Sequence, residues 1–269
     1  MPNIAAFVKI SLDPNMIRTA GDDKIDTVNM QMSISEYDKN ALEEAVKLKE
    51  KYGGKVIAFT ALTWGPIDKK LKDTEVIQRE ILARGADELY VITSNLILNS
   101  SPLYTSILLA QAVKKVGNFD LYITGESSMD IGSSQISSRV ASILGLPVIT
   151  YVRELEYDPQ NNLIRATRDL EDSYVKVEAE LPVVISVTGE INQARIPTLL
   201  QIRRAFSKPV KILTDKDLNI PEQQLLLHKR EDLKVIKINR KNIILEGKSL
   251  DEIADKLISK LREEGVLKV

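Results

Sequence analysis

The chain has 269 residues, 43% of them apolar, enough for one large domain with a buried core and a small appendage. Its 37 Lys and Arg nearly balance 38 Asp and Glu, so no field of one sign marks a nucleic-acid surface or an anionic membrane as a partner. The lack of cysteine excludes disulfides, thiolate zinc sites and cysteine-held iron-sulfur clusters, and fits a reducing compartment. No run approaches the ~18 apolar residues of a membrane span, and the first ten residues lack a signal-peptide pattern, so no membrane insertion and a cytoplasmic location are expected.

In chain order, Ile4 to Ile10 is expected to be an apolar opening strand. Ser35-Glu-Tyr-Asp38 then precedes Ala41, Leu42, Ala45, Val46 and Leu48 at helical spacing. Ser35 is the expected N-cap there, with Asp38 completing a capping-box-like pair. Gly53-Gly54 ends the helix, Lys55 to Leu62 reads as a buried strand, and Gly65-Pro66 turns the chain into a helix reaching about Arg84. Glu88 to Thr93 is a third strand, the segment after Pro102 is helical, Asp120 to Thr124 is a fourth strand, and the next helix runs to about Leu144.

Strands alternating with helices of this length predict parallel pairing with helices on both sheet faces, an α/β three-layer sandwich. From Ile149 the rhythm changes. Tyr151 to Tyr157, Ile164 to Leu170 and Tyr174 to Leu181 alternate apolar with polar residues, as an antiparallel meander does. Val183 to Val187 is a further core strand, and Thr198 to Phe206 is helix-like. The polar stretch to about Arg230 reads as a linker, and Ser249 to Glu264 as an amphipathic helix with Ile253, Leu257 and Leu261 on one face. The expected division is a domain over 1–205 followed by a linker and C-terminal arm over 206–269, the arm docking within the chain or on a partner.

Open α/β sheets bind ligands beyond the carboxyl ends of their strands. The loop after Thr124, with Ser127, Ser128, Ser133 and Ser134 around Asp130, is therefore where a site is expected. A serine nucleophile would need Gly-x-Ser-x-Gly and a histidine base. Gly125-Glu-Ser127-Ser-Met129 breaks that pattern, and the one histidine, His228, lies in the polar linker, which argues against both a hydrolase triad and a histidine-held metal. Gly247-Lys248-Ser249 lacks the upstream glycine of a P-loop, with Asn242 in its place. Two readings of the loop remain at this level. One is an anion cradle at a helix N-terminus, with Gly125 and Gly132 allowing close approach and Ser133, Ser134 and Gln135 adding polar groups; the other is a hydroxyl-rich cap without a ligand.

Several segments, in order, resemble the beta subunit of electron transfer flavoproteins, the family that includes the FixA proteins. Ser35-Glu-Tyr-Asp-Lys-Asn-Ala-Leu-Glu-Glu-Ala45 is similar to its Asn-Pro-Phe-Asp-x-x-Ala-x-Glu-Glu-Ala element, and Thr60-Ala-Leu-Thr-Trp-Gly-Pro66 to its Thr-Ala-Leu-Thr-Met-Gly-Pro turn. Phe7-Val8-Lys9 resembles the first strand, Arg84-Gly-Ala-Asp87 its Met-Gly-Ala-Asp, and the stretch from Gly125 the nucleotide loop. The resemblance implies an electron carrier and not a stand-alone enzyme, paired with an alpha subunit that binds the redox-active FAD, and working between flavin dehydrogenases and a quinone reductase or ferredoxin-type acceptor. It implies AMP or a second FAD in this subunit, with the Ala-Leu-Thr turn and Thr150-Tyr151-Val152 leaning towards FAD. The implied nucleotide contacts are Phe7 through its backbone, Ser35, Asp38, Thr63, Trp64, Gly125, Asp130, Gly132, Ser133, Ser134, Gln135 and Ile136. Arg195-Ile-Pro-Thr-Leu199 with Ile202-Arg-Arg204 is similar to the loop that recognises partner dehydrogenases, which implies Leu199 as an apolar anchor beside Arg203 and Arg204; the competing reading buries Leu199 in its own core. A rival function from another class is a free-standing adenine-nucleotide module of the stress-protein kind, with the same type of sandwich.

Overall fold

The computed structural model describes residues 1–21, 23–95, 101–221, 223, 233–236 and 241–267. His228 lies outside the described residues. Contacts divide the chain into two units, Met1–Lys234 and Val235–Val269.

The first unit is built on a mixed sheet of nine strands among the described residues. They are β1 (Asn3–Phe7), β6 (Lys55–Leu62), β7 (Glu88–Thr93), β8 (Leu121–Gly125), β9 (Val148–Asp158), β10 (Leu163–Asp169), β11 (Tyr174–Glu180), β12 (Val183–Val187) and β13 (Val210–Thr214). The order is β11-β10-β9-β12-β8-β1-β6-β7-β13. From β9 to β13 every neighbouring pair is parallel, and β10 and β11 add the antiparallel meander at one edge. The α/β class and the meander agree with the sequence.

Alternation along each strand divides the core in two. Ile4 and Ala6 of β1 and Val56 and Ala58 of β6 meet α1 (Glu36–Tyr52) and α3 (Glu75–Ala83) on one face. Ala5 and Phe7, with Phe59 and Ala61, meet α4 (Pro102–Val116) and α5 (Ile136–Leu144) on the other. The period of two therefore aims the last side chain of β1, Phe7, and its neighbour Phe59 at the α4–α5 side.

Four local expectations change. The opening strand stops at Phe7, and Ile10–Leu12 (β2) pairs with Met32–Ile34 (β5) in a separate two-stranded ribbon. The chain leaves the sheet where other groups take its backbone bonds: the Lys9 N–H donates to Asp38 Oδ2 at 2.8 Å, and the Lys9 carbonyl accepts from Ser35 N. The Ser35–Asp38 capping pair does not form, since that same carboxylate is drawn to the strand ends and Ser35 makes no side-chain cap bond. The helix expected to reach Arg84 is two helices, α2 (Ile67–Asp73) and α3, separated at Thr74, whose Oγ1 donates to the Lys70 carbonyl at 2.7 Å. The stretch after Phe206 is not all linker. β13 pairs with β7 from Val210 to Thr214, so residue 205 falls inside the first unit. Its polar reading arose because an edge strand has one neighbour only and leaves Lys211 and Ile212 to solvent.

In the second unit, Leu250–Glu263 is α7. The Ser249 side chain caps it by accepting from Glu252 N at 3.2 Å, and Glu252 Oε2 in return accepts from Lys248 N. The expected N-cap is present.

Candidate nucleotide cleft

At the carboxyl ends of β8, β1 and β6, on the α4–α5 side, lies a cleft that opens to solvent. Phe7, Phe59, Ala61, Leu109 and Ile136 give it apolar walls, and Gly125, Ser127, Ser128, Ser133, Ser134 and Gln135 a polar rim.

Asp38 holds the floor together. It is buried on α1, and its two oxygens accept from Lys9 N at 2.8 Å and Gly125 N at 2.9 Å, so one carboxyl joins the ends of β1 and β8. Gly125 has to be glycine, because a Cβ there would stand 2.6 Å from Asp38 Oδ1 and 2.7 Å from the Tyr37 backbone. Burial raises the Asp38 carboxyl to about pH 7, against the pull of its two backbone donors and of Lys9.

The loop that follows is fastened by a second carboxylate. Asp130 accepts from Lys9 Nζ at 2.6 Å, Ser128 Oγ at 2.8 Å, Trp64 Nε1 at 2.9 Å and Leu12 N at 3.3 Å. Burial would push this group up. The Lys9 ammonium and the converging donors outweigh it and hold it below the usual carboxylate range. Beyond it, Gly132 and Ser134 take the left-handed region at φ +62° and +50°, curling the chain so that α5 begins at the cleft. α5 has no side-chain N-cap bond and no acidic residue in its first turn. Its free N–H groups and the positive end of its dipole can therefore receive an anion.

The residues expected to form the site divide in three. Phe7, Asp38, Gly125, Ser133, Ser134, Gln135 and Ile136 line the cleft. Asp130 and Trp64 form the latch behind it, with Trp64 fully buried, while Gly132 shapes the turn. Ser35 and Thr63 are buried away from the lining, with Ser35 Oγ donating to the Ser127 carbonyl at 3.5 Å. The Gln135 amide oxygen is occupied, accepting from Arg139 Nε at 2.9 Å. Sequence reasoning did not name Lys9, Phe59, Ala61, Thr105, Leu109 or Glu126 as site residues. For Phe59 and Ala61 the signal was present, because alternation places them on the face of Phe7.

Leu199, at the start of α6 (Leu199–Ala205), is 87% exposed, which rules out the core reading. Thr198 and Gln201 form a capping box beneath it, and Arg203 and Arg204 are exposed on the same short helix. Among the described residues there is no metal-binding cluster, and no helix is long and apolar enough to cross a membrane.

A model of the electron transfer flavoprotein domain matches residues 24–218. The chain is 32% identical to the electron transfer flavoprotein subunit beta of Thermoanaerobacterium thermosaccharolyticum, over 98% of this chain and 100% of that one. It is 35% identical to the subunit of the same name in Clostridium acetobutylicum, over 84% and 85% of the two chains. It is also 28% identical to the caffeyl-CoA reductase-Etf complex subunit CarD of Acetobacterium woodii, over 86% of each. The segments that resembled this family thus lie within a likeness that runs through almost the whole chain, and the protein belongs to the electron transfer flavoproteins as a beta subunit.

Proposed function

We propose that this chain pairs with an electron transfer flavoprotein alpha subunit, and that the heterodimer carries electrons from flavin dehydrogenases to a quinone reductase or ferredoxin-type acceptor. In this reading the cleft holds AMP or a second FAD. The observation that carries it is the cleft itself: an apolar slot for a planar ring that ends on the uncapped first turn of α5 among serine hydroxyls.

Phe7, Phe59, Ala61 and Leu109 would receive the ring. Gly125, Ser133, Ser134 and the backbone of Ile136 would receive the phosphates, with Asp38 and Asp130 setting the shape from behind. A flavin supplies the redox chemistry when bound, while this chain's residues bind, orient and exclude water. The family turn and the Thr150-Tyr151-Val152 segment favour FAD over AMP. The Acetobacterium woodii relative, named for a complex with a reductase, supports a role inside a larger redox assembly. Ile253, Leu257 and Leu261 on one face of α7 suit an arm that docks on the alpha subunit.

Purification of the native complex, with released nucleotides identified by mass and visible absorption, tests this directly. A yellow heterodimer containing FAD, with AMP or a second FAD assigned to this subunit, is the expected result. A colourless homo-oligomer carrying ATP would instead establish the stress-protein type of module.

The exposed position of Leu199 makes a separate prediction. Leu199→Ala removes little buried surface, so unfolding free energy should change by less than about 0.5 kcal/mol. Electron delivery from a partner dehydrogenase should fall roughly tenfold, as for an anchor at the centre of a small contact. Unchanged transfer in stopped-flow reduction would remove Leu199 from the docking surface.

A further inference from the structure

The cleft crosses three adjacent strands, β8, β1 and β6, or about 10 Å from the first to the third. Its β8 end carries Gly125 and the first turn of α5. Its β6 end is formed by the start of α4, where Pro102, Thr105 and Leu109 line it beside Phe59 and Ala61.

Two neighbouring hydroxyls on α4 behave differently. Ser106 Oγ donates back to the Pro102 carbonyl at 2.7 Å, the usual return bond of a helical serine. Thr105 Oγ1 is buried, on a residue only 9% exposed, and has no hydrogen-bond partner among the described residues. Five buried side-chain atoms share that condition, on Thr60, Thr63, Tyr104, Thr105 and Thr188, and of these residues only Thr105 lines the cleft. A buried polar atom without a partner is costly enough to call for an account, and here the missing partner has a place to sit. α4 also lacks a side-chain N-cap bond and an acidic first turn, so its amino end is favourable to electron-rich groups.

We propose that the Thr105 hydroxyl is a ligand contact, hydrogen-bonding the cleft's occupant at the β6 end, away from the phosphate-receiving turn of α5. This rests on the nucleotide reading of the cleft and extends it. The occupant is held at both ends, by the first turn of α5 and by a hydroxyl that can donate once and accept twice. Ring nitrogens, ring carbonyls and ribose hydroxyls are the groups it suits.

The test uses the full chain assembled with its alpha subunit, titrated calorimetrically with AMP and with FAD. Thr105→Val should weaken binding of whichever nucleotide the wild type takes by about 5- to 20-fold, the loss of one hydrogen bond at a buried site. Thr105→Ser should restore most of it. The melting temperature of the ligand-free Thr105→Val protein should stay level or rise, because the methyl replaces a hydroxyl with no internal partner. Wild-type affinity in Thr105→Val, or a fall in its ligand-free melting temperature, would overturn the proposal while leaving the nucleotide cleft intact. A wild type that binds neither AMP nor FAD would instead bring down the reading of the cleft, and this inference with it.

Discussion

Replacing Asp130 by alanine should lower the unfolding free energy by about 3 kcal/mol, the usual cost of removing one partner from a buried ion pair, and should cost the protein most of its nucleotide affinity. Asp130 has 4% of its side chain exposed and Lys9 has 18%, so solvent screens the pair little. The substitution also takes the acceptor from Trp64 Nε1, which is buried, and from Ser128 and the Leu12 N–H. These donors come from four separate stretches: the exits of β1 and β8, the ribbon strand β2 and the turn before α2. Their release should free the loop that brings α5 to the cleft. Asp130→Asn keeps the shape but turns an amide donor towards donors, so an intermediate loss is expected. Urea unfolding and AMP or FAD titration of both variants measure the two effects. Full affinity in Asp130→Ala despite the lost stability would show that the latch does not shape the cleft. Because this carboxylate is held below its ordinary value, its stabilisation is present above about pH 4 and is lost as the pH falls through the folded value.

Asp38 should act in the opposite direction. Its folded pKa is raised from 3.8 to about 7, so between those values the folded state holds a proton that the unfolded state releases. Its contribution to stability is therefore complete below pH 4, declines as the pH rises towards 7, and is flat above. At about 1.4 kcal/mol per pH unit the decline reaches at most ~4 kcal/mol. Asp38→Asn removes the titration, and turning its amide towards one of the two backbone donors adds a pH-independent cost of about 1–3 kcal/mol. The stability of wild type minus Asp38→Asn, measured by chemical unfolding at pH 4.5, 6 and 8, should fall steadily across the series. A difference that stays flat across the series would mean that the Lys9 and Gly125 donors outweigh burial and keep the carboxylate charged, because such stabilisation is already complete above about pH 4. Comparing each variant with wild type separates the two groups, whose slopes have opposite sign.

Much of this molecule is legible from local chemistry. The run Lys55 to Leu62 and its counterparts at Glu88 and Leu121 are apolar enough to declare buried parallel strands, and the alternation after Ile149 declares the meander; both depend only on how many faces of a strand meet solvent. The place of the serine-rich loop was legible because its position after a strand and before a helix follows from chain order, and in the fold it lines the cleft at the strand ends. β13 was not legible, since an edge strand with one exposed face carries the composition of a loop. The break at Thr74 was also hidden, because a threonine within helical spacing shows its return bond only once the backbone is placed.

The sequence by itself determined the layers, most strands of the parallel sheet, the meander, the family and the place of the serine-rich loop between a strand and a helix, because periodicity and turn chemistry act between residues close along the chain. Only the tertiary structure decided the parts that Asp38, Asp130 and Thr105 play. A carboxylate that could have capped a helix joins two strand ends instead, with partners 29 and 87 residues away. Another, expected at the nucleotide, fastens the loop behind the cleft, and a threonine in an ordinary helical pattern is left facing the cleft without a partner among the described residues. Whether a polar side chain caps, braces or waits for a ligand is settled by which distant donors the fold brings within about 3 Å and by how much water it removes.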